Sequence, residues 1–206
     1  MPIKLRHDAS LSASRSKNMK NIYLVGFMAT GKTCVGSELA ARKKMRFVDL
    51  DELIELKERR TISDIFSRDG EPCFRRIEKK ILKEVAREEN FVVACGGGIV
   101  IDSENIKIMK DSGVIVCLTA KPEVIMKRAA GTSHRPLLNV CDPKVQIEHL
   151  LKLRAPFYAR ADHAIDTSRL SPQQVAQKII GVTKTPRRRV TKTQGRGTQV
   201  RKTKRI

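Results

Sequence analysis

Eight residues, Gly26-Phe27-Met28-Ala29-Thr30-Gly31-Lys32-Thr33, fit the pattern G-x-x-x-x-G-K-[ST]. That is the spacing of a loop that wraps a nucleotide phosphate. Glycines at either end let successive backbone N–H groups curl round an anion, at the positive end of the helix that follows. Lys32 is then placed to reach the β- and γ-phosphates, and the Thr33 hydroxyl to ligate Mg²⁺. ATP contacts are expected from Ala29 through Thr30, Gly31, Lys32 and Thr33 to Cys34. A chance Gly-Lys-Thr in a turn would lack the flanking pattern found here. The apolar run IYLVG (22–26) reads as a strand before the loop, and TCVGSELAARKK (33–44) as a helix after it. The motif specifies nucleotide binding and leaves the acceptor open.

Four further segments carry groups suited to an acceptor. VDLDELIE (48–55) sets the carboxylates of Asp49 and Asp51 two apart at the end of a strand, where ligands bind in open α/β sheets. Read alone, acids opening a helix more often serve its N-terminal dipole. GEPCFRRIE (70–78) brings Arg75, Arg76 and Glu78; Arg76 reads as a solvated helix position, and Glu78 as a partner that orients a neighbouring arginine. CGGG (95–98) follows a buried strand and could be a plain turn. RPLL (135–138) and RAPFY (154–158) supply Arg135 and Arg154. Arg154 by itself reads as a surface charge, Phe157 and Tyr158 as packing groups, and His134 as solvent-facing.

The elements that must hold these groups alternate regularly. RFVDLD (46–51), FVVAC (91–95), VIVCLT (114–119) and HAIDT (163–167) join the first run as β segments. Between them lie helical patterns: DELIELKERR, SDIFSR with Ser63 as N-cap, FRRIEKKILKEVAREE (74–89), residues 102–111, KPEVIMKRAA (121–130) and PKVQIEHLLKLRAPFY (143–158). A last helix opens at Ser171-Pro172 and runs to about Val182. Five strands alternating with helices predict an α/β domain with a five-stranded, mostly parallel sheet flanked by helices.

Taken in order, the D-x-D, F-R-R-x-E, G-G-G, R-P-L-L and R-x-P-x-Y segments behind the phosphate loop resemble the shikimate kinase family across about residues 20–182. Related small kinases, such as gluconate kinases, share the loop without the full series. The resemblance implies a phosphate-loop kinase fold with a mobile lid, and transfer of the γ-phosphoryl group of ATP to the 3-hydroxyl of shikimate. It implies that Asp51 hydrogen-bonds the substrate hydroxyls and accepts the proton of the attacking one. Asp49 would support Mg²⁺ beside Thr33, one ion per subunit. Arg75 and Arg154 would hold the carboxylate with their planar forks. Gly96, Gly97 and Gly98 would let the backbone approach the substrate. Residues from about Gly131 to Asp142 would form the lid, its Arg135 neutralising charge in the transition state with Lys32. Arg128 would flank the adenine. Two positions depart from the family pattern: Ala29 stands where glycine is usual, and Leu170 where an adenine-side arginine is often found.

Bulk properties set the remaining bounds. The chain has 206 residues, 40% of them apolar, and no apolar run long enough to span a membrane. Five cysteines without a CxxC pair point away from a disulfide framework or a zinc site and towards a reducing compartment. The net charge of +20 divides unevenly: +10 in residues 183–206, +4 in residues 1–20 and +6 between. Residues 1–18 and 183–206 are therefore expected to be disordered extensions of a domain spanning 19–182. A cytoplasmic monomer is expected, with ATP and shikimate as partners and no membrane association. No sequence-specific nucleic-acid motif is present, although the basic tail could adhere weakly to polyanions. A related small-metabolite or nucleoside monophosphate kinase, a nucleic-acid-binding protein and a non-catalytic relative are the competing functions.

Overall fold

The computed structural model describes residues 20–130 and 142–184. Its elements alternate in chain order: β1 (Asn21–Val25), α1 (Lys32–Lys43), β2 (Arg46–Asp49), α2 (Leu50–Glu58), α3 (Ile62–Ala86), β3 (Phe91–Ala94), α4 (Ser103–Ser112), β4 (Gly113–Thr119), α5 (Pro122–Ala129), α6 (Pro143–Tyr158), β5 (His163–Asp166) and α7 (Pro172–Lys184). The five strands make one sheet in the order β2-β3-β1-β4-β5, and every pairing is parallel.

The inner strands are unbroken apolar runs because both faces of a parallel sheet are covered by helices. Alternate residues of β1 serve opposite cores. Tyr23 and Val25 join Leu53, Ile65, Leu82 and Met109 beneath α2, α3 and α4. Ile22 and Leu24 join Leu39, Ala40, Val175 and Ile179 beneath α1 and α7. The two patterns expected over 63–68 and 74–89 form a single element, α3, bent at Gly70, whose φ of 77° and ψ of 170° interrupt the helix. Thr61, outside it, caps α3 by accepting from the Asp64 N–H, where Ser63 was expected to do so. The helix begins at Ile62, so the threonine before it, two residues ahead of Ser63, is the one placed to reach the unpaired first-turn amides.

β1 sits at the point where strand order reverses, between β3 and β4. Crevices at such switch points, outside the carboxyl ends of the strands, are where open α/β sheets bind ligands. The loop after β1, the β2–α2 junction and the turn after β3 all open there.

Candidate active site

The loop between β1 and α1 is held by its own backbone geometry. Gly26 has φ 140° and Gly31 φ 96°, conformations that side chains resist. The buried Thr30 hydroxyl donates to the Phe27 carbonyl at 2.8 Å, closing the loop from within. Lys32 Nζ donates to the carbonyls of Phe27 at 2.9 Å and Gly26 at 3.1 Å, which keeps the ammonium over the loop. Ala29 takes φ 58°, so the position that is usually glycine in the family has left-handed backbone.

Both carboxylates at the β2–α2 junction face this loop. Asp49 Oδ2 accepts from the Thr33 hydroxyl at 2.8 Å, while its Oδ1 caps α2 through the Asp51 N–H at 3.1 Å. Helix capping and a phosphate-side position are thus combined in one residue. Burial, then the neighbouring charge of Asp49, pushes the Asp51 carboxyl up to about 6, against the pull of Lys32 and Arg75. No group of three or more metal-ligating side chains occurs among the described residues. Thr33 and Asp49 offer two hard oxygens only, which suits Mg²⁺ shared with nucleotide phosphates and not an all-protein cage.

On the opposite wall, Arg75 reaches from α3 across the turn after β3. Its Nη1 donates to Glu78 at 2.7 Å, and its Nε and Nη2 to Glu71 at 3.1 and 3.0 Å. Glu78 is 1% exposed, and its Oε1 has no hydrogen-bond partner. Burial holds its carboxyl above the usual range even with Arg75 alongside. A β-carbon at Gly98 would collide with the Arg75 guanidinium, and one at Gly96 would lie 2.8 Å from Glu78 and 2.9 Å from Asp51. At Gly97 it would stand 3.5 Å from Arg154 Nη1. Gly96 and Gly98 leave space that a β-carbon would invade, whereas one at Gly97 would make only ordinary contact. Arg154, from α6, lies with its guanidinium carbon 5.6 Å from the Phe27 ring centroid.

These residues line one cleft of ≈ 790 Å³. Lys32, Thr33, Asp49, Asp51, Arg75, Arg154, Arg128 and the glycine turn all border it, as do Ala29, Thr30, Gly31 and Cys34. At the other end, Arg128 donates to the Thr167 hydroxyl at 3.1 Å, the Thr167 carbonyl at 2.8 Å and the Ala29 carbonyl at 3.4 Å. That leaves the guanidinium fixed as a flat wall beside the loop. Leu170 lines the cleft there and packs against the α1/α7 core. Arg135, His134 and the lid expected from about Gly131 lie outside the described residues, except Asp142, which caps α6 through the Lys144 and Val145 amides.

Several site residues escaped the sequence reading. Thr167 is 2% exposed and links three parts of the site, its hydroxyl lying 3.1 Å from the Thr30 and Thr119 carbonyls as well as from Arg128. Tyr158 is buried, as its expected packing role requires, but its hydroxyl also donates to the Gly97 carbonyl at 2.8 Å. Burial pushes that phenol up to about 12, so it stays a donor. Ile62, Phe66 and Phe74 form an apolar wall, the two rings 4.7 Å apart.

A family model described as shikimate kinase matches residues 28–184. The shikimate kinase of Thermoanaerobacter pseudethanolicus is 46% identical over 162 residues, covering 79% of this chain and 95% of its own. That of Thermodesulfovibrio yellowstonii is 48% identical over 162 residues, covering 79% and 94%. Among solved structures, the shikimate kinase from Acinetobacter baumannii in complex with shikimate superposes with a TM-score of 0.76 at 37% identity, covering 80% of this chain and 93% of that one.

Proposed function

The chain belongs to the shikimate kinase family, and from that premise we propose how its cleft moves the γ-phosphoryl group of ATP onto the 3-hydroxyl of shikimate. The product feeds chorismate and aromatic amino-acid biosynthesis. One observation carries the reading. Two guanidinium groups from different helices, Arg75 and Arg154, border the same cleft as the phosphate loop, and Arg75 occupies space that a β-carbon at Gly98 would take. Two planar forks facing one space suit a carboxylate.

The cleft geometry and the family resemblance support the following roles. Arg75 and Arg154 hold the shikimate carboxylate, and Glu78 with Glu71 fixes the plane of Arg75. Asp51 sits between the glycine turn and the loop, and accepts the proton from the attacking hydroxyl. A carboxyl held at about 6 is mostly ionised at neutral pH yet more basic than an ordinary aspartate. Lys32 and the amides from Ala29 to Cys34 bind the phosphates and stabilise the charge that develops on the transferring group. Arg128 flanks the adenine, and Arg135 adds a second cation from the lid. Thr33 and Asp49 would hold Mg²⁺, which would offset the charge of the nucleotide phosphates.

The folded body in this reading spans 19–184, two residues beyond the expected end because α7 runs to Lys184, with 1–18 and the rest of the tail as extensions of a cytoplasmic monomer. No helix among the described residues is long and apolar enough to cross a membrane. A coupled assay of ADP release, with ATP, Mg²⁺ and one acceptor at a time, tests the assignment. Shikimate should support turnover at least ~100-fold above gluconate or AMP, since neither holds a carboxylate and a hydroxyl on one rigid ring at the separation of the paired arginines from Asp51. Faster turnover with either alternative would overturn it.

A further inference from the structure

A second groove, of ≈ 530 Å³, runs along the outer side of α3, across a wall formed by Arg75. Six of its eight lining residues are Lys or Arg. Its two acids are already engaged: Glu84 pairs with Lys57, and Asp102 with Lys79 at 2.6 Å. Glu104 holds Lys79 at 2.9 Å and Lys83 at 2.7 Å, and Arg75 is turned towards Glu71 and Glu78. Arg76, Lys80 and Arg87 remain, all exposed and without an ion pair among the described residues.

Their spacing places them along one face of α3, with Lys83 between Lys80 and Arg87. At the helical rise of 1.5 Å per residue the row from Arg76 to Arg87 is about 16 Å long. Like charges four apart weaken a helix, and four such pairs recur here: Arg75 with Lys79, Arg76 with Lys80, Lys79 with Lys83, and Lys83 with Arg87. Helix stability does not account for the row, and neither does packing, because the side chains are exposed. The same chain carries ten further basic residues and no acid over residues 183–206.

We propose that this groove binds the sugar–phosphate backbone of single-stranded nucleic acid without reading its sequence. A line of cations matches a line of phosphates and needs nothing else from the surface. An acidic protein partner would want aromatic or aliphatic anchors at the centre of the contact, and all eight lining residues are charged. The groove offers bases no stacking platform, so the contact is confined to the phosphates, which carry no sequence information.

The test uses the full chain and a fluorescein-labelled oligouridylate, with anisotropy followed from about 50 to 200 mM KCl. The triple variant Arg76→Gln/Lys80→Gln/Arg87→Gln removes three contacts without altering any residue placed in the active site. At ~0.7 per contact it should lower the slope of log K against log salt by about 2, and weaken binding roughly tenfold at low salt. Shikimate-dependent kinase activity should stay within about twofold and reports that the variant is folded. The single variants Arg76→Gln and Arg87→Gln should each take about a third of the slope change. The matched variant Arg187→Gln/Arg188→Gln/Arg189→Gln removes the same charge from the tail. An unchanged slope in the α3 variants, with the loss confined to the tail variant, overturns the proposal. So does polyglutamate binding as tightly as the oligouridylate with the same dependence on Arg76 and Arg87, which would identify an acidic protein surface instead.

Discussion

Replacing Asp51 by Asn should make the protein more stable and far less active, and the two effects have one cause. The carboxyl is held at about 6 in place of the ordinary 3.8, chiefly by burial and secondly by Asp49. Keeping it ionised at neutral pH costs roughly 3 kcal/mol on the conversion of 1.36 kcal/mol per tenfold shift in proton affinity. Solvent in the open cleft reduces this, so ~1–2 kcal/mol is the expected gain for a neutral, nearly isosteric amide. In a chain of this size that raises Tm by about 3–6 °C. The difference depends on pH in a defined window. A folded-state value above the unfolded one contributes stability below about pH 4 that is lost as pH rises through 6. The two proteins should therefore differ at pH 7.5 and converge near pH 4. Turnover should fall at least ~100-fold, the scale of a lost general base. Scanning calorimetry at both pH values, with the ADP-release assay alongside, provides the readings. A variant less stable than its parent at pH 7.5, or one that keeps a tenth of the activity, would refute the reasoning.

Other perturbations separate the remaining roles. Arg75→Ala and Arg154→Ala should each raise the KM for shikimate at least ~10-fold with ATP affinity nearly unchanged, and the double variant should be less than additive because both act on one anion. Initial rates over a grid of both substrates would show it. Ala29→Gly relieves a left-handed backbone with φ 58°, and should stabilise the protein by ~0.5–1 kcal/mol in urea unfolding, ATP affinity rising if it changes at all. A chain trimmed to Met19–Lys184, the end of α7, should keep kcat within about threefold, an effect under ~1 kcal/mol. Loss of turnover there would place part of the extensions in the fold.

The parts of this molecule that were legible in the sequence are those where local rules and tertiary demands agree. The phosphate loop is one, since its spacing, flanking strand and following helix all act within the 23 residues from 22 to 44. The runs at 91–95 and 114–119 are another: a strand covered on both faces must be apolar throughout, and β3 and β4 are. Asp51, Arg75, Arg154 and the glycines were legible only through family resemblance, because their meeting in one cleft depends on strand order. The order β2-β3-β1-β4-β5 leaves no periodic trace in the chain. Thr167 could not be found at all. It looks like any threonine at a strand end, and its role comes from the Thr30 carbonyl 137 residues away and from Arg128, 39 residues away. The apolar wall of Ile62, Phe66 and Phe74 was equally hidden, as residues on a core-facing helix carry no mark that one end of the core opens to a ligand.

The central claim is that the cleft transfers a phosphoryl group to shikimate, and its most direct test follows the group itself. The full chain would be incubated with Mg²⁺, ATP labelled at the γ-phosphorus and shikimate, and the label traced by anion-exchange separation and phosphorus NMR. The expected result is label on the 3-oxygen of shikimate, formed in step with ADP and lost by at least ~100-fold in Lys32→Ala. Label appearing only in inorganic phosphate, at the same rate with and without shikimate, would contradict the account.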